Sequence, residues 1–409
     1  MKLGFNTTGN SSTSGRTTNA IMGLGSLRNT KGSLTRKYKY CHSENPNYLF
    51  QCVFNQPIIK KEIPPEPKDG VIQTIGCTDG TILTSTNFGN TWTTNNQFTG
   101  INSSFVDVAT SLNGKYRTIV DVNNIDSFYT YNLNTKLWNK PSFQSTNLKL
   151  SNVSMSYDGK YQTVYTGFYS ILSAPNQNTI LVTTSNYGSS WNSYNPFDSN
   201  ESCITLSYNS SGQYQTAITI TVNNITYIYY SNNYGSTWNK LTNLPIPNIN
   251  SEWFSINISG NNNYYTIGSL GNPQIYISTD PTKNNWIEST IHPPSIPPSD
   301  PLYLFFQIKS SYDGKYQLAN TAFVLGIEGY LYLSSNYGKD WYSIETMPNN
   351  LSLSYFTSIS VSNSGKVMTA ITNKQDASGY FLIESQDYGQ TWNIKYTSTT
   401  LPLFCISTN

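Results

Sequence analysis

Apolar and polar positions alternate in Phe105-Val106-Asp107-Val108-Ala109-Thr110, the period of a strand with one buried face. The run ends in Ser111-Leu112-Asn113-Gly114, and alternation resumes in Lys115-Tyr116-Arg117-Thr118-Ile119-Val120. Asn-Gly or Asp-Gly between two alternating runs is a strong hairpin signal, because both residues accept the positive φ of a tight turn. The same turn and second strand recur around Tyr157-Asp158-Gly159-Lys160-Tyr161-Gln162, Ser211-Gly212-Gln213-Tyr214, Tyr312-Asp313-Gly314-Lys315-Tyr316-Gln317 and Ser364-Gly365-Lys366-Val367. A third strand, as in Thr226-Tyr227-Ile228-Tyr229-Tyr230, runs into an eight-residue motif that closes on tryptophan, where a short fourth strand begins. Four antiparallel strands in one such unit make a propeller blade.

The closing motif sets the count. Near-copies of Ser385-Gln386-Asp387-Tyr388-Gly389-Gln390-Thr391-Trp392 stand at 85–92, 184–191, 231–238 and 334–341, with weaker versions at 131–138 and 278–286. The tryptophans are Trp92, Trp138, Trp191, Trp238, Trp286, Trp341 and Trp392; of the eight in the chain only Trp253 stands outside the series. A repeat of this length overrides the multidomain prior that 409 residues otherwise carry. Asp69-Gly70-Val71-Ile72-Gln73-Thr74 matches a turn and second strand that lack a first strand, while Leu403-Phe404-Cys405-Ile406-Ser407-Thr408-Asn409 matches a first strand that stops at the turn. The reading is therefore all-β, a seven-bladed β-propeller over 69–409. Its four-stranded antiparallel blades close when the C-terminal strand completes the first blade, which removes exposed edges.

Residues 1–68 read differently. They are rich in Gly, Ser, Thr and Asn, show little periodicity, and pass through the Pro-rich stretch Ile63-Pro64-Pro65-Glu66-Pro67. They hold ten Lys and Arg against three Glu, a net of +7, which leaves −5 of the total +2 on the rest. A basic arm on a mildly acidic body points to an anionic or protein partner, with Arg28, Lys31, Arg36, Lys37 and Lys39 as contacts. The basic charge is diffuse and poor in aromatics for a nucleic-acid surface. Cys41, Cys52, Cys77, Cys203 and Cys405 form no disulfide framework and have no zinc spacing. No metal or cofactor is expected. No apolar leader or membrane-length run occurs in the sequence, so an intracellular or virion setting is the expectation.

The pattern Ser/Thr-x-Asp-x-Gly-x-Thr-Trp resembles the Asp-box, or BNR repeat, of sialidases, sortilin-type receptors, some endoglucanases and Ycf48-type photosystem II assembly factors. That resemblance spans 69–409 and implies a turn between the third and fourth strands of each blade. Its residues here are Asn87, Gly89 and Trp92; Asn186, Gly188 and Trp191; Asn233, Gly235 and Trp238; Asn336, Gly338 and Trp341; and Asp387, Gly389 and Trp392. An Asx side chain can bond the backbone of its own turn, Gly accepts positive φ, and Trp covers the blade interior. One motif per blade cannot converge on a single ligand, so the role assigned is structural.

Sialidase chemistry, as the resemblance implies it, needs three arginines on the substrate carboxylate. Only Arg117 of Arg16, Arg28, Arg36 and Arg117 falls in the propeller, so that activity is excluded and no catalytic residue is assigned. Function is expected on the face opposite the motifs, on the loops between second and third strands and between blades, with the long segments 239–253 and 287–303 foremost. The candidates are Phe168, Tyr169, Trp253, Tyr303, Asp121, Asp126, Glu252 and Glu328, among the wider carboxylate set Asp107, Glu201 and Asp376. Two readings follow. One is a non-catalytic binding or structural propeller anchored through 1–68 to a larger assembly, for which an Asn-, Ile-, Tyr- and Lys-rich vocabulary suggests the virion of a large DNA virus. The other is a glycan-binding protein or two-carboxylate glycosidase on the loop face.

Overall fold

The computed structural model describes residues 26–29, 32–35 and 69–409, the last without 134, 145, 168–179, 222, 243, 246–251, 272–273, 284, 293, 295–302, 323–328, 352–353 and 374–378. Within the arm, Ser26–Asn29 and Gly32–Thr35 pair as an antiparallel hairpin with Leu27 opposite Leu34. Asn29 and Gly32, which flank the turn, are residue types that favour turns.

Residues 69–409 form a ring of seven four-stranded antiparallel blades. From the centre outward, blade two is Phe105–Thr110, Arg117–Asp121, Phe128–Asn132 and Leu137–Asn139. The other first strands are Asn152–Met155, Glu201–Tyr208, Glu252–Ile258, Tyr303–Ser310 and Tyr355–Val361 for blades three to seven. Blade one takes its first strand from the far end of the chain, where Leu403–Thr408 pairs with Gln73–Cys77. Ile75 faces Ile406 across that seam, and both are buried. Asn409 completes the closure, since its side-chain amide donates to Leu112 O of blade two at 2.7 Å.

The turns between first and second strands are linked around the ring by backbone bonds. Leu112 N donates to Tyr157 O, Tyr157 N to Ser210 O, Ser210 N to Gly260 O, Asn261 N to Tyr312 O, and Tyr312 N to Asn363 O. Asp69 bridges the remaining junction by accepting from Ser364 N and Ser362 Oγ. Each turn thus satisfies a backbone group of its neighbour, as buried peptide groups require.

Apolar residues occupy the interfaces between blades. Val108, Ile256, Ile308, Ile359 and Ile406 stand at the same position of five first strands and are all buried. Most first strands also carry a β-bulge, with register shifts at Phe105/Asp107, Cys203/Thr205, Trp253/Ser255, Phe305/Gln307 and Phe356/Ser358. A bulge re-aims the residues that follow it. Here Asp107, Gln307 and Ser358 are turned onto the next blade, where they accept from Val153 N (2.9 Å), Ile359 N (3.0 Å) and Ile406 N (3.1 Å). The innermost strand of each blade has an unpaired edge, and these side chains cap it.

The segment 287–303 is not wholly a loop. Ile287–Glu288 is the fourth strand of blade five, and Thr290–His292 runs parallel to Asp340–Ser343 as an extra outermost strand on blade six. His292 stacks on Tyr342 at 4.2 Å. This part of the linker covers a sheet edge rather than crossing the loop face, because blade six offered an unpaired outer strand.

Candidate functional site

The tryptophan motifs lie in the turns between third and fourth strands, on the same side of the ring as the turns between first and second strands. In the first copy Gly89 N donates to Ser85 Oγ (2.9 Å), Thr91 N to Asn87 Oδ1 (2.9 Å) and Trp92 Nε1 to Gly89 O (2.9 Å). The set recurs at Thr184, Asn186, Gly188 and Trp191, at Ser334, Asn336, Gly338 and Trp341, and at Ser385, Asp387, Gly389 and Trp392. The Asn233 copy differs only in that Gly235 O accepts from Tyr194 Oη, which also takes the Trp238 indole N–H at 3.5 Å. Burial pushes the Asp387 carboxyl up, but bonds from Thr391 and Ser385 more than offset this and hold it below the usual carboxylate range.

Two consecutive residues of each motif are left-handed, not the glycine alone. Phe88, Tyr187, Tyr234, Tyr337 and Tyr388 have φ between 59° and 67°. For an L-residue this costs about 1–2 kcal/mol. Four of these rings stack on the tyrosine after the turn of the preceding blade: Tyr187 on Tyr116 (4.9 Å), Tyr234 on Tyr161 (4.5 Å), Tyr337 on Tyr264 (4.7 Å) and Tyr388 on Tyr316 (4.6 Å). Such stacks contribute about 0.5–1.5 kcal/mol each, comparable with the backbone cost. The polar and aromatic groups of this face are thus engaged with the chain itself.

On the loop face, Asp121, Asp126 and Glu201 are similarly occupied. Asp121 is fully buried and accepts from Ser104 N, Asn123 N and Asn124 Nδ2. Asp126 anchors the next linker through Thr146 N, Thr146 Oγ1 and Asn147 N. Glu201 pairs with Lys240 at 2.7 Å and accepts from Thr219 Oγ1, while Asp198 holds the same ammonium at 2.6 Å and the Tyr227 ring lies 3.7 Å beneath it. Glu252 is half-buried at the head of its strand, and burial raises its pKa. Trp253 is 3% exposed and packs edge-on against Tyr276 within the core, so its ring is not presented to a ligand. Tyr303 heads a first strand and pairs with Gly271; its side chain, together with Phe168, Tyr169, Glu328 and Asp376, lies outside the described residues. So do the side chain of Arg28 and residues Lys31, Arg36, Lys37 and Lys39.

What remains open is the central channel, a cavity of about 220 Å3 lined by the first strands of all seven blades. Tyr157 of blade three and Tyr312 of blade six approach to 6.2 Å at its turn end. One level of the lining takes one residue from each blade: Ala109, Ser154, Ser207, Asn257, Ser360, Ser407 and, on blade six, Lys309. Ser207 and Ser360 accept from Ile258 N and Thr408 N, both at 3.0 Å. Asp107 lies at the next level. Burial raises its pKa, with the Lys309 charge and bonds from Val153 N, Val108 N and Asn152 acting against that rise. The Lys309 side chain is accessible from the channel; its ammonium forms no hydrogen bond or ion pair among the described residues, and Asp107 is the acid that feels its charge. Aligning the seven first strands isolates this lysine, the one charged residue at its level; the carboxylate inventory passed over it. Among the described residues no three His, Cys, Asp or Glu side chains are grouped to hold a metal, and no helix is long and apolar enough to cross a membrane.

No protein-family model matches the chain, and a search of curated proteins finds no match. Solved structures match the fold. One described as YCF48 bound to D1 peptide superposes with a TM-score of 0.52 at 13% identity, covering 78% of this chain and 90% of that one. The Cps50 (Swd1) β-propeller domain of Myceliophteria thermophila gives 0.52 at 10% identity, over 78% and 94%. A prolyl endopeptidase gives 0.51 at 9%, over 84% of this chain and 51% of its own. At these identities the likeness is one of fold, shared by a peptide-bound protein and a peptidase alike.

Proposed function

We propose that this chain is a non-catalytic protein- or peptide-binding propeller that uses its loop face. The observation that carries this reading is a contrast in exposed side chains. Ile101 is 56% exposed, Ile125 54% and Ile225 51%, all on linkers or second-to-third-strand loops, beside carboxylates already committed to their own backbone. Exposed aliphatic side chains flanked by Asn suit a protein contact, whereas acid–base catalysis needs carboxylates free to exchange protons. The peptide-bound state of the YCF48 neighbour is consistent with this use of the fold. The tryptophan motifs, on this reading, are Asp-boxes that serve the fold.

Residues 1–68 supply a second, electrostatic attachment to a larger assembly, with Arg28, Lys31, Arg36, Lys37 and Lys39 as its contacts. That part, and a virion as the assembly, rests on composition and charge. The test is cross-linking mass spectrometry on the full chain, on Ile101→Asp/Ile125→Asp and on Tyr187→Ser, with a glycan array in parallel. Partner cross-links to the loop face should disappear in the double variant and persist in the turn-face variant. Equal loss in both, or glycan binding that survives the double variant, would replace this reading.

A further inference from the structure

We propose that the channel is a binding site for a small monovalent oxyanion, a carboxylate, held by Lys309 and by serine hydroxyls at its level. This stands apart from the loop-face reading, since neither Ile101 nor Ile125 contributes to the channel lining.

Lys309 does not serve the blade junction. At the matching positions Ser207 and Ser360 each accept a backbone N–H from the next blade, which stitches the unpaired strand edges together. An ammonium group has three donors and no acceptor, so it cannot do this. Nor does Lys309 resemble Lys240, which two carboxylates and a tyrosine ring hold in place. A cation at the centre of the ring, with no acceptor among the described residues, has its hydrogen-bonding capacity directed at the cavity.

The neighbouring groups point the same way. Because Ser207 and Ser360 accept from the backbone, their hydroxyl hydrogens are left to donate toward the channel. Ser407, at the same level on the closing strand, has its hydroxyl free of any hydrogen bond among the described residues. The level therefore offers one formal positive charge and several neutral donors, which is the set that charge-assisted bonding of an oxyanion uses.

Charge balance sets the valence. Asp107 lies in the same channel, with its oxygens already accepting from Val108 N, Val153 N and Asn152 Nδ2. It does not take the lysine as a hydrogen-bond partner, and burial works against its charged form. Lys309 brings one positive charge to the channel, which matches one negative charge and not two. A cavity of about 220 Å3 has room for a short-chain carboxylate.

The experiment is isothermal titration of the full chain with sodium formate, acetate and propionate at constant ionic strength, with inorganic phosphate and chloride as comparison anions. At least one carboxylate should bind saturably, with phosphate at least tenfold weaker. Lys309→Met should lower carboxylate affinity at least tenfold, and Lys309→Arg should restore most of it. If Lys309→Met does not fold, Ser407→Ala replaces it and should weaken binding several-fold. Absence of saturable binding to the wild type, affinity unchanged in the Met or Ala variant, or phosphate binding as tightly as the carboxylates would each overturn the proposal.

Discussion

On the turn face, Asn87, Asn186, Asn233, Asn336 and Asp387 each give a side-chain oxygen to a backbone N–H four residues on; in the channel, Lys309 meets no protein acceptor among the described residues. The first arrangement recurs in five blades, and its polar groups bond to the chain itself. The second occurs once. Where a polar residue repeats, its partner is the chain; at Lys309 no described residue accepts a hydrogen bond from the ammonium, and a ligand becomes the physical explanation. Motif strength therefore marks the fold, and departure from the motif marks the place to look for binding.

The largest effect should come from breaking the closure, which both faces share. Deleting residues 403–409 unpairs Gln73–Cys77 and removes Ile406 from the seam, so cooperative thermal unfolding should be lost in calorimetry. A sharp transition retained by the truncated chain would show that the other six blades suffice. Next is Trp341→Ala. That ring is fully buried, and its loss should cost about 3–5 kcal/mol in denaturant unfolding, with Trp92→Ala, only half-buried, costing clearly less. Equal costs would place the contribution in the indole-to-glycine bond common to both.

A smaller difference separates the charged motif from its neutral counterparts. Asp387→Ala removes a charge-assisted acceptor and should cost about 1.5–3 kcal/mol at neutral pH, against about 0.5–1.5 for Asn87→Ala. Because the folded-state pKa of Asp387 is lowered, its contribution is present above the unfolded pKa and lost as pH falls through the folded one. The gap between the two variants should therefore close on acidification. The smallest effect belongs to Asp107. Its folded pKa is raised, so the folded chain retains a proton that the unfolded chain has released, and stability falls as pH rises from about 4, the ordinary carboxylate value. The stability of wild type relative to Asp107→Asn should decline over that interval. A flat difference would mean that the backbone donors fully offset the burial.

Much of the ring was legible because its signals are local. Ser156, Asp158, Gly159 and Gln162 all act within one turn, where Gln162 Nε2 caps Gly159 O at 2.8 Å, and such contacts leave a trace at fixed spacing. The Asp107 bond to Val153 N joins residues 46 apart, and the Asn409 bond to Leu112 O joins residues 297 apart, so no window of sequence contains either pair. The left-handed tyrosines were hidden for another reason. Propensity argues against positive φ for an aromatic residue, and only the ring of the preceding blade offsets that cost.

The sequence by itself determined the all-β class, the number of blades, the position of each turn and the return of the last strand to the first blade, because a period of apolar and turn residues dictates all four. Tertiary structure alone decided which polar residues were consumed. Asp121 and Asp126 look the same as free acids in sequence and became backbone anchors, Trp253 became core, and Lys309, at a level otherwise made of four serines, an asparagine and an alanine, was left facing a cavity. The physical reason is that hydrogen-bond satisfaction is a property of neighbours in space, and in a ring those neighbours come from the next blade.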